Sequence, residues 1–243
     1  MSDRERPDAK PLLLVSLRDA SEAEAVTHHV DIVDLKNTDE GALGAPRLDD
    51  VLAIAERISS PLSVALGDLP DLPGTAALAA RAAASLGASY VKAGVHGPRT
   101  QERATALLSA IVRGVRSAGS AKVVAAGYAD YREGGFLSPT DLVAAASAAE
   151  CDVVMLDTLT KDGRGLFEHL EPEEIGNFLR DAESRGLKTA LAGSLRLEDL
   201  PHLRELGPGI VGVRGAVCRD GDRSQALCPE RLKLWAPLEL SES

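Results

Sequence analysis

Short apolar runs recur along the chain at intervals of roughly 20 to 35 residues. They cover residues 11–17, 31–36, 62–67, 90–95, 122–128, 153–158, 188–194 and 210–216. Val, Ile, Leu and Ala dominate them, and Gly, Ser or Asp punctuates them, as expected for buried strands. Between them lie longer stretches in which Ala and Leu recur at helical spacing among Glu and Arg: residues 21–29, 49–59, 75–86, 101–118, 139–149, 172–185 and 196–206. Thr75, Thr100, the Ser138–Pro139 pair and the Glu171–Pro172 pair are helix-start signals. Gly87, Gly119 and Gly186 stand where helices stop.

Strict alternation of strand and helix predicts a parallel sheet, because each right-handed crossover returns the chain in the same direction. Eight units point to a single α/β domain, a closed (β/α)8 TIM barrel over residues 11–235, with tails at residues 1–10 and 236–243. An open doubly wound sheet would want a Gly-rich turn after the first strand, and Ser16, Arg18 and Ala20 offer none. A chain of 243 residues is close to the usual length of one such barrel.

Charge and cysteines narrow the function. A net charge of −10 disfavours nucleic acid or an anionic membrane as a partner. A local cation cluster can still bind a small anion. No apolar run reaches the ~18 residues of a membrane span. The polar start MSDRERPDAK is not a secretory signal. The three cysteines, Cys151, Cys218 and Cys228, read as reduced thiols. A soluble cytoplasmic protein is therefore expected. Ala-rich stretches such as residues 74–86 suit either a second subunit in a homo-oligomer or close packing within the barrel.

The lysines carry the chemistry. The 27 basic residues comprise 20 Arg and only seven Lys, so where a lysine stands is informative. Lys10 and Lys233 lie near the two ends, and Lys122 and Lys188 begin strands. Lys36, Lys92 and Lys161 fall at or just after the ends of the second, fourth and sixth strands, the face on which barrels do chemistry. Lysine, unlike arginine, can lose its proton and attack a carbonyl to form a Schiff base. Three lysines at one mouth would lower one another's pKa. Strand alternation puts Asp34 and Lys36 on one face with Ile32, and Val33 and Leu35 on the other. Asp157 ends the sixth strand, and Lys161 follows in TLTKDG. One Asp–Lys pair at a strand end is as readily a structural ion pair. Three lysines and two aspartates at matching ends favour catalysis, without singling out the nucleophile.

The seventh and eighth strands end in Ala192–Gly193–Ser194 and Arg214–Gly215–Ala216. Barrels often bind phosphate there, through backbone N–H groups. Gly193, Ser194, Gly215, Ala216 and the fork of Arg214 are the expected ligands, with Arg223 a weaker candidate. Tyr128 and Asp130 read as a buried hydroxyl and a cap, and His96 as a lesser acid–base candidate. His28, His29, His169 and His202 read as structural or solvent-facing, and Cys218 as an apolar filler. No Cys/His spacing suits zinc and no carboxylate group suits a divalent ion, so neither metal nor cofactor is expected.

Several segments together resemble a known family: DIVDLKNTDEGALGA from Asp31, YVKAGVHG from Tyr90, VVAAGYAD from Val123, CDVVMLDTLTKDGRGLF from Cys151, LKTALAGSL from Leu187, GIVGVRGAVC from Gly209 and GDR from Gly221. They resemble the (5-formylfuran-3-yl)methyl phosphate synthases of methanofuran biosynthesis, also called 4-(hydroxymethyl)-2-furancarboxaldehyde-phosphate synthases. The resemblance spans nearly the whole barrel in order. It implies condensation of two glyceraldehyde 3-phosphate molecules into a furan aldehyde that keeps one phosphate. It implies Lys36 as the Schiff-base residue, Lys92 as proton acceptor, and assisting roles for Asp34, Asp157 and Lys161. Asn37–Thr38–Asp39 departs from the more usual Asn-Pro-Lys. Two other readings fit the lysine pattern: a Schiff-base aldolase for another sugar phosphate, and a non-catalytic barrel that binds a phosphorylated ligand.

Overall fold

The structure is a computed structural model and describes residues 10–26 and 30–235. All but residue 10 of the expected tail at residues 1–10, the expected tail at residues 236–243, and His28 and His29 lie outside the described residues. The strands are β1 Leu12–Leu17, β2 Ile32–Leu35, β3 Leu62–Leu69, β4 Tyr90–Val95, β5 Lys122–Tyr128, β6 Val153–Asp157, β7 Lys188–Leu191 and β8 Ile210–Val213. They close in chain order into one parallel barrel. The ring is sealed where β8 returns to β1, with Leu12 opposite Ile210 and Val15 opposite Val213.

The helices are α1 Leu48–Ala55, α2 Pro73–Ser85, α3 Gln101–Arg116, α4 Tyr131–Gly134, α5 Pro139–Ala148, α6 Leu166–His169, α7 Pro172–Ser184, α8 Leu200–Leu206 and α9 Pro229–Lys233. Thr100 and Ser138 cap α3 and α5 by accepting from Arg103 N and Asp141 N. The Ala-rich α2 packs within the chain. A Cβ on Gly114 of α3 would lie 2.3 Å from the Ala77 carbonyl oxygen, so glycine is what lets α3 approach α2 this closely.

Period-two alternation sorts the strand residues into two cores. Val33, Leu35, Val91, Ala93, Val123 and Val154 face outward onto the helices. Leu14, Ile32, Tyr90, Val124, Val153, Met155 and Ile210 fill the barrel interior. Above that apolar plug sits a buried polar layer, because Ser16, Asp34 and Ser63 share one register row across β1, β2 and β3.

The structure departs from the predicted elements where local geometry overrides pattern. Residues 20–26 form a 3-10 turn, Ala20–Val26, in place of the α-helix predicted from residue 21. Asp19 accepts from both Ser21 N and Ser21 Oγ, and Glu22 accepts from Arg18 N, which winds this segment tightly. β3 extends to Leu69 through a register shift between Ala65 and Asp68. β7 stops at Leu191, since Gly193 and Ser194 adopt φ of 101° and 50°. A Cβ on Gly193 would lie 3.0 Å from Thr158 N, so no larger residue fits this bend. α4 and α6 are single turns, too short to leave a periodic signature. Predicted helix 196–206 is broken into a 3-10 turn, Leu197–Asp199, and α8, with Pro201 in the first turn of the latter.

Candidate active site

Asp34 points into the barrel and is fully buried. Lys92 Nζ donates to both of its oxygens at 2.7 Å. Ser16 Oγ donates to Oδ2 and Ser63 Oγ to Oδ1, each at 2.8 Å. Burial pushes the carboxyl pKa up. The Lys92 and Lys36 charges, with the hydrogen bonds of Lys92 and Ser63, outweigh it and hold Asp34 below the usual carboxylate range. Four strands thus supply one closed polar unit in which each carboxylate oxygen accepts two hydrogen bonds.

Lys36 follows β2 on the same face, and its Nζ lies 3.9 Å from Asp157 Oδ2. Burial lowers its pKa to about 8, with Lys92 and Lys161 adding to the drop and Asp157 and Asp34 opposing it. Desolvation, more than the expected repulsion among lysines, therefore releases its proton. The other oxygen of Asp157 accepts from Lys161 Nζ at 2.9 Å and from Thr158 N at 2.7 Å. Lys161 Nζ also donates to Thr158 Oγ1 at 2.8 Å. Burial raises the Asp157 carboxyl, but Lys161 and Lys36 more than reverse this and hold it well below the ordinary range. Asp157 is thus a fixed anion between two lysines of different exposure.

Lys36, Lys92, Asp157 and Lys161 open onto a cavity of about 490 Å³, which Gly193, Ser194, Gly215 and Ala216 line from the β7–β8 side. That size and position suit a small phosphorylated ligand. Arg214 also borders the cavity, but its charged fork is committed elsewhere. Nη1 and Nη2 grip the buried Glu22 carboxylate at 2.5 and 2.9 Å. Nη1 also donates to Ser16 O, Nη2 to Gln225 O and Nε to Arg223 O. Arg214, expected to hold phosphate, thus borders the cavity with a guanidinium already paired with the buried Glu22. Arg223, the weaker candidate, lines the cavity together with Arg196 and Arg231. Arg231 Nε donates to Ala216 O at 2.9 Å and Arg196 pairs with Glu168, so both brace the rim.

Tyr128 is a buried hydroxyl, donating to Asp68 Oδ1 at 2.6 Å. Burial and then the Asp68 charge push its pKa up. Asp130 accepts from Leu159 N and Thr160 N at 2.9 and 2.8 Å, so it caps the loop that presents Lys161. His96 packs on Phe136 at 5.0 Å and edges Tyr128. It stands outside the cavity lining. Cys218 is buried, and burial raises its thiol pKa. Among the described residues no group of three His, Cys, Asp or Glu side chains is arranged to hold a metal ion. None of their helices is long and apolar enough to cross a membrane. The pattern reading missed Ser16, Ser63 and Asp68. The first two had a legible signal: a lone small polar residue at an inward position of an apolar strand.

Solved structures similar to this one share its fold. A ligand complex of KGPDC from Streptococcus mutans matches with a TM-score of 0.64 at 14% identity, over 95% of this chain and 97% of that one. The chain is 46% identical over 220 residues to (5-formylfuran-3-yl)methyl phosphate synthase of Methanopyrus kandleri, which covers 89% of this chain and 93% of the relative. The same named enzyme of Methanocaldococcus jannaschii is 46% identical over 217 residues, covering 88% and 92%. The sequence model of 4-HFC-P synthase matches residues 13–236, from β1 past α9, a span that contains every lysine and aspartate of the buried cluster. By that match and by these relatives, the chain belongs to the 4-HFC-P synthase family.

Proposed function

We propose that this protein condenses two molecules of glyceraldehyde 3-phosphate, through a Schiff base on Lys36, into (5-formylfuran-3-yl)methyl phosphate for methanofuran biosynthesis. The overall reaction is a carbon–oxygen lyase reaction: one phosphate and two waters leave as the furan ring forms. The observation that carries the proposal is the Lys36 amine itself. It is buried, its pKa is about 8, and it faces the cavity beside an anion that stays ionised.

The first triose phosphate places its phosphate on the backbone N–H groups of Gly193, Ser194, Gly215 and Ala216, with Arg223 alongside. Neutral Lys36 attacks the carbonyl, and Asp157 steadies the positive charge that the nitrogen acquires. Lys92 gives a proton to the departing hydroxyl as the imine forms. Its amine, now neutral beside Asp34, takes the proton from the neighbouring carbon. The resulting enamine carbon then joins the second triose phosphate, which gives up its phosphate. Lys161 stabilises negative charge on the group that leaves. No metal or cofactor is invoked, since the protonated imine serves as the electron sink.

Incubation of the protein with glyceraldehyde 3-phosphate should yield a product absorbing in the near ultraviolet, with one inorganic phosphate released per product. An aliphatic aldol product with no phosphate release would refute the reaction. The pH dependence follows from Lys36. Its neutral form is the nucleophile, so the rate of imine formation rises with pH and levels off above about 8. Below that it falls roughly tenfold per pH unit. Rapid borohydride quenching at a series of pH values measures it. A flat profile from roughly pH 6 to 9 would contradict a lysine titrating there.

A further inference from the structure

A second cavity, of about 670 Å³, adjoins the first over the loops that follow β1 and β2. Lys161 and Arg223 stand in the walls of both. Lys36 lines the first cavity; the next residue, Asn37, and Lys161, which shares Asp157 with Lys36, line the second. Arg18 and Arg47 complete a set of four cations around this second space. Arg47 is exposed, and among the described residues the guanidinium groups of Arg47 and Arg223 have no ion-pair or hydrogen-bond partner. Arg18 Nε is buried and without a partner there, while its Nη1 donates to Ser224 O and its Nη2 to Glu22.

We infer that this second cavity receives the phosphate of the second substrate molecule, the phosphate that departs. The inference rests on the proposed condensation of two monophosphates. Two phosphate dianions repel strongly at short range, so one rim cannot hold both. With the first phosphate on the β7–β8 rim, the second molecule must reach Lys36 from the other side. There the unpartnered guanidinium groups of Arg47 and Arg223 are found. Asp19, Asp39 and Asp50 share the same walls, and Arg18 and Lys161 are already paired with Glu22 and Asp157. That partial neutralisation makes a weaker anion site than a purely basic one, which suits a group that must leave once its C–O bond breaks. Arg223, common to both walls, contacts whichever phosphate is present.

Titration with inorganic phosphate tests this directly. The wild type should show two binding events of unequal affinity. Arg47→Gln should weaken one of them about tenfold and leave the other unchanged, as loss of one charge-assisted hydrogen bond predicts. Arg223→Gln should weaken both. Arg47→Gln should also raise KM for glyceraldehyde 3-phosphate while the yield of borohydride-trapped Lys36 stays at the wild-type level. A single binding event in the wild type, or superimposable titrations for wild type and Arg47→Gln, overturns the inference. A wild type that binds two phosphates yet forms no furan overturns the proposed reaction instead.

Discussion

Lys36→Arg should lower turnover by about four orders of magnitude while the protein stays folded, as expected when a covalent nucleophile is removed. Arginine keeps the positive charge beside Asp157, 3.9 Å from the amine in the native protein, so the electrostatic frame survives. What is lost is a nitrogen that can be neutral near pH 8, since a guanidinium does not deprotonate in this range. The longer, planar head must fit a buried position, at a cost of about 1–3 kcal/mol. Lys36→Met serves as a smaller companion should that cost unfold the arginine variant. Borohydride added with glyceraldehyde 3-phosphate should increase the mass of the Lys36 peptide in the wild type and of no lysine peptide in either variant. A label on Lys92 or Lys161, or turnover that survives Lys36→Arg, would eliminate Lys36 as the Schiff-base residue.

Lys92→Met should destabilise the fold by about 3–5 kcal/mol, the penalty for stranding a buried charge. Asp34 and Lys92 are 0% and 1% exposed, so either charge is left in a poorly hydrated site once its partner is gone. The two serine hydroxyls still donate to Asp34, but they cannot neutralise it. The variant should relieve the strain by protonating Asp34, so its deficit should shrink as pH falls. Asp34→Asn combined with Lys92→Met removes both charges and should recover most of the lost stability, yet remain inactive. Chemical denaturation of the two single variants and the double variant gives the coupling directly. A Lys92→Met protein as stable as wild type would show that Asp34 is not charged in the native state.

The barrel was legible because its signal is repeated: eight apolar runs, each long enough to show alternation, with helices between them. Each strand of the structure overlaps one of those runs. Asp34 and Lys36 were legible for the same reason, since their shared face follows from a spacing of two residues. Lys92, Lys161 and Asp157 could be placed at one mouth because parallel strands all end on it. Position could not rank the lysines. Their difference is burial and pairing: Lys92 is locked on Asp34, Lys161 is partly exposed on a loop, and Lys36 alone is desolvated without a close partner. Those properties depend on residues far away along the chain, and no local pattern reports them. Arg214 shows the same limit. Glycine on one side and a strand end on the other made it resemble an anion ligand. Only the folded chain reveals Glu22, 192 residues earlier, beneath its guanidinium. Arg47 went unremarked because an isolated arginine in a loop carries no signal until the loops after β1, β6 and β8 surround it.

The Arg214–Glu22 clamp also bears on how the molecule comes to exist. It fastens the loop after the last strand to the turn after the first, and so draws the ring shut where β8 meets β1. During synthesis β8 is released last, so through nearly the entire translation of the barrel Glu22 has only its looser partner, Arg18, at 3.4 Å. Until β8 arrives, β1 lacks the strand it pairs with in the finished barrel, and Glu22 lies in the turn that follows it. Bare edges invite pairing with other chains, and a charged side chain beside the edge discourages it. On this view Glu22 guards the unfinished barrel before it becomes the catch that closes it.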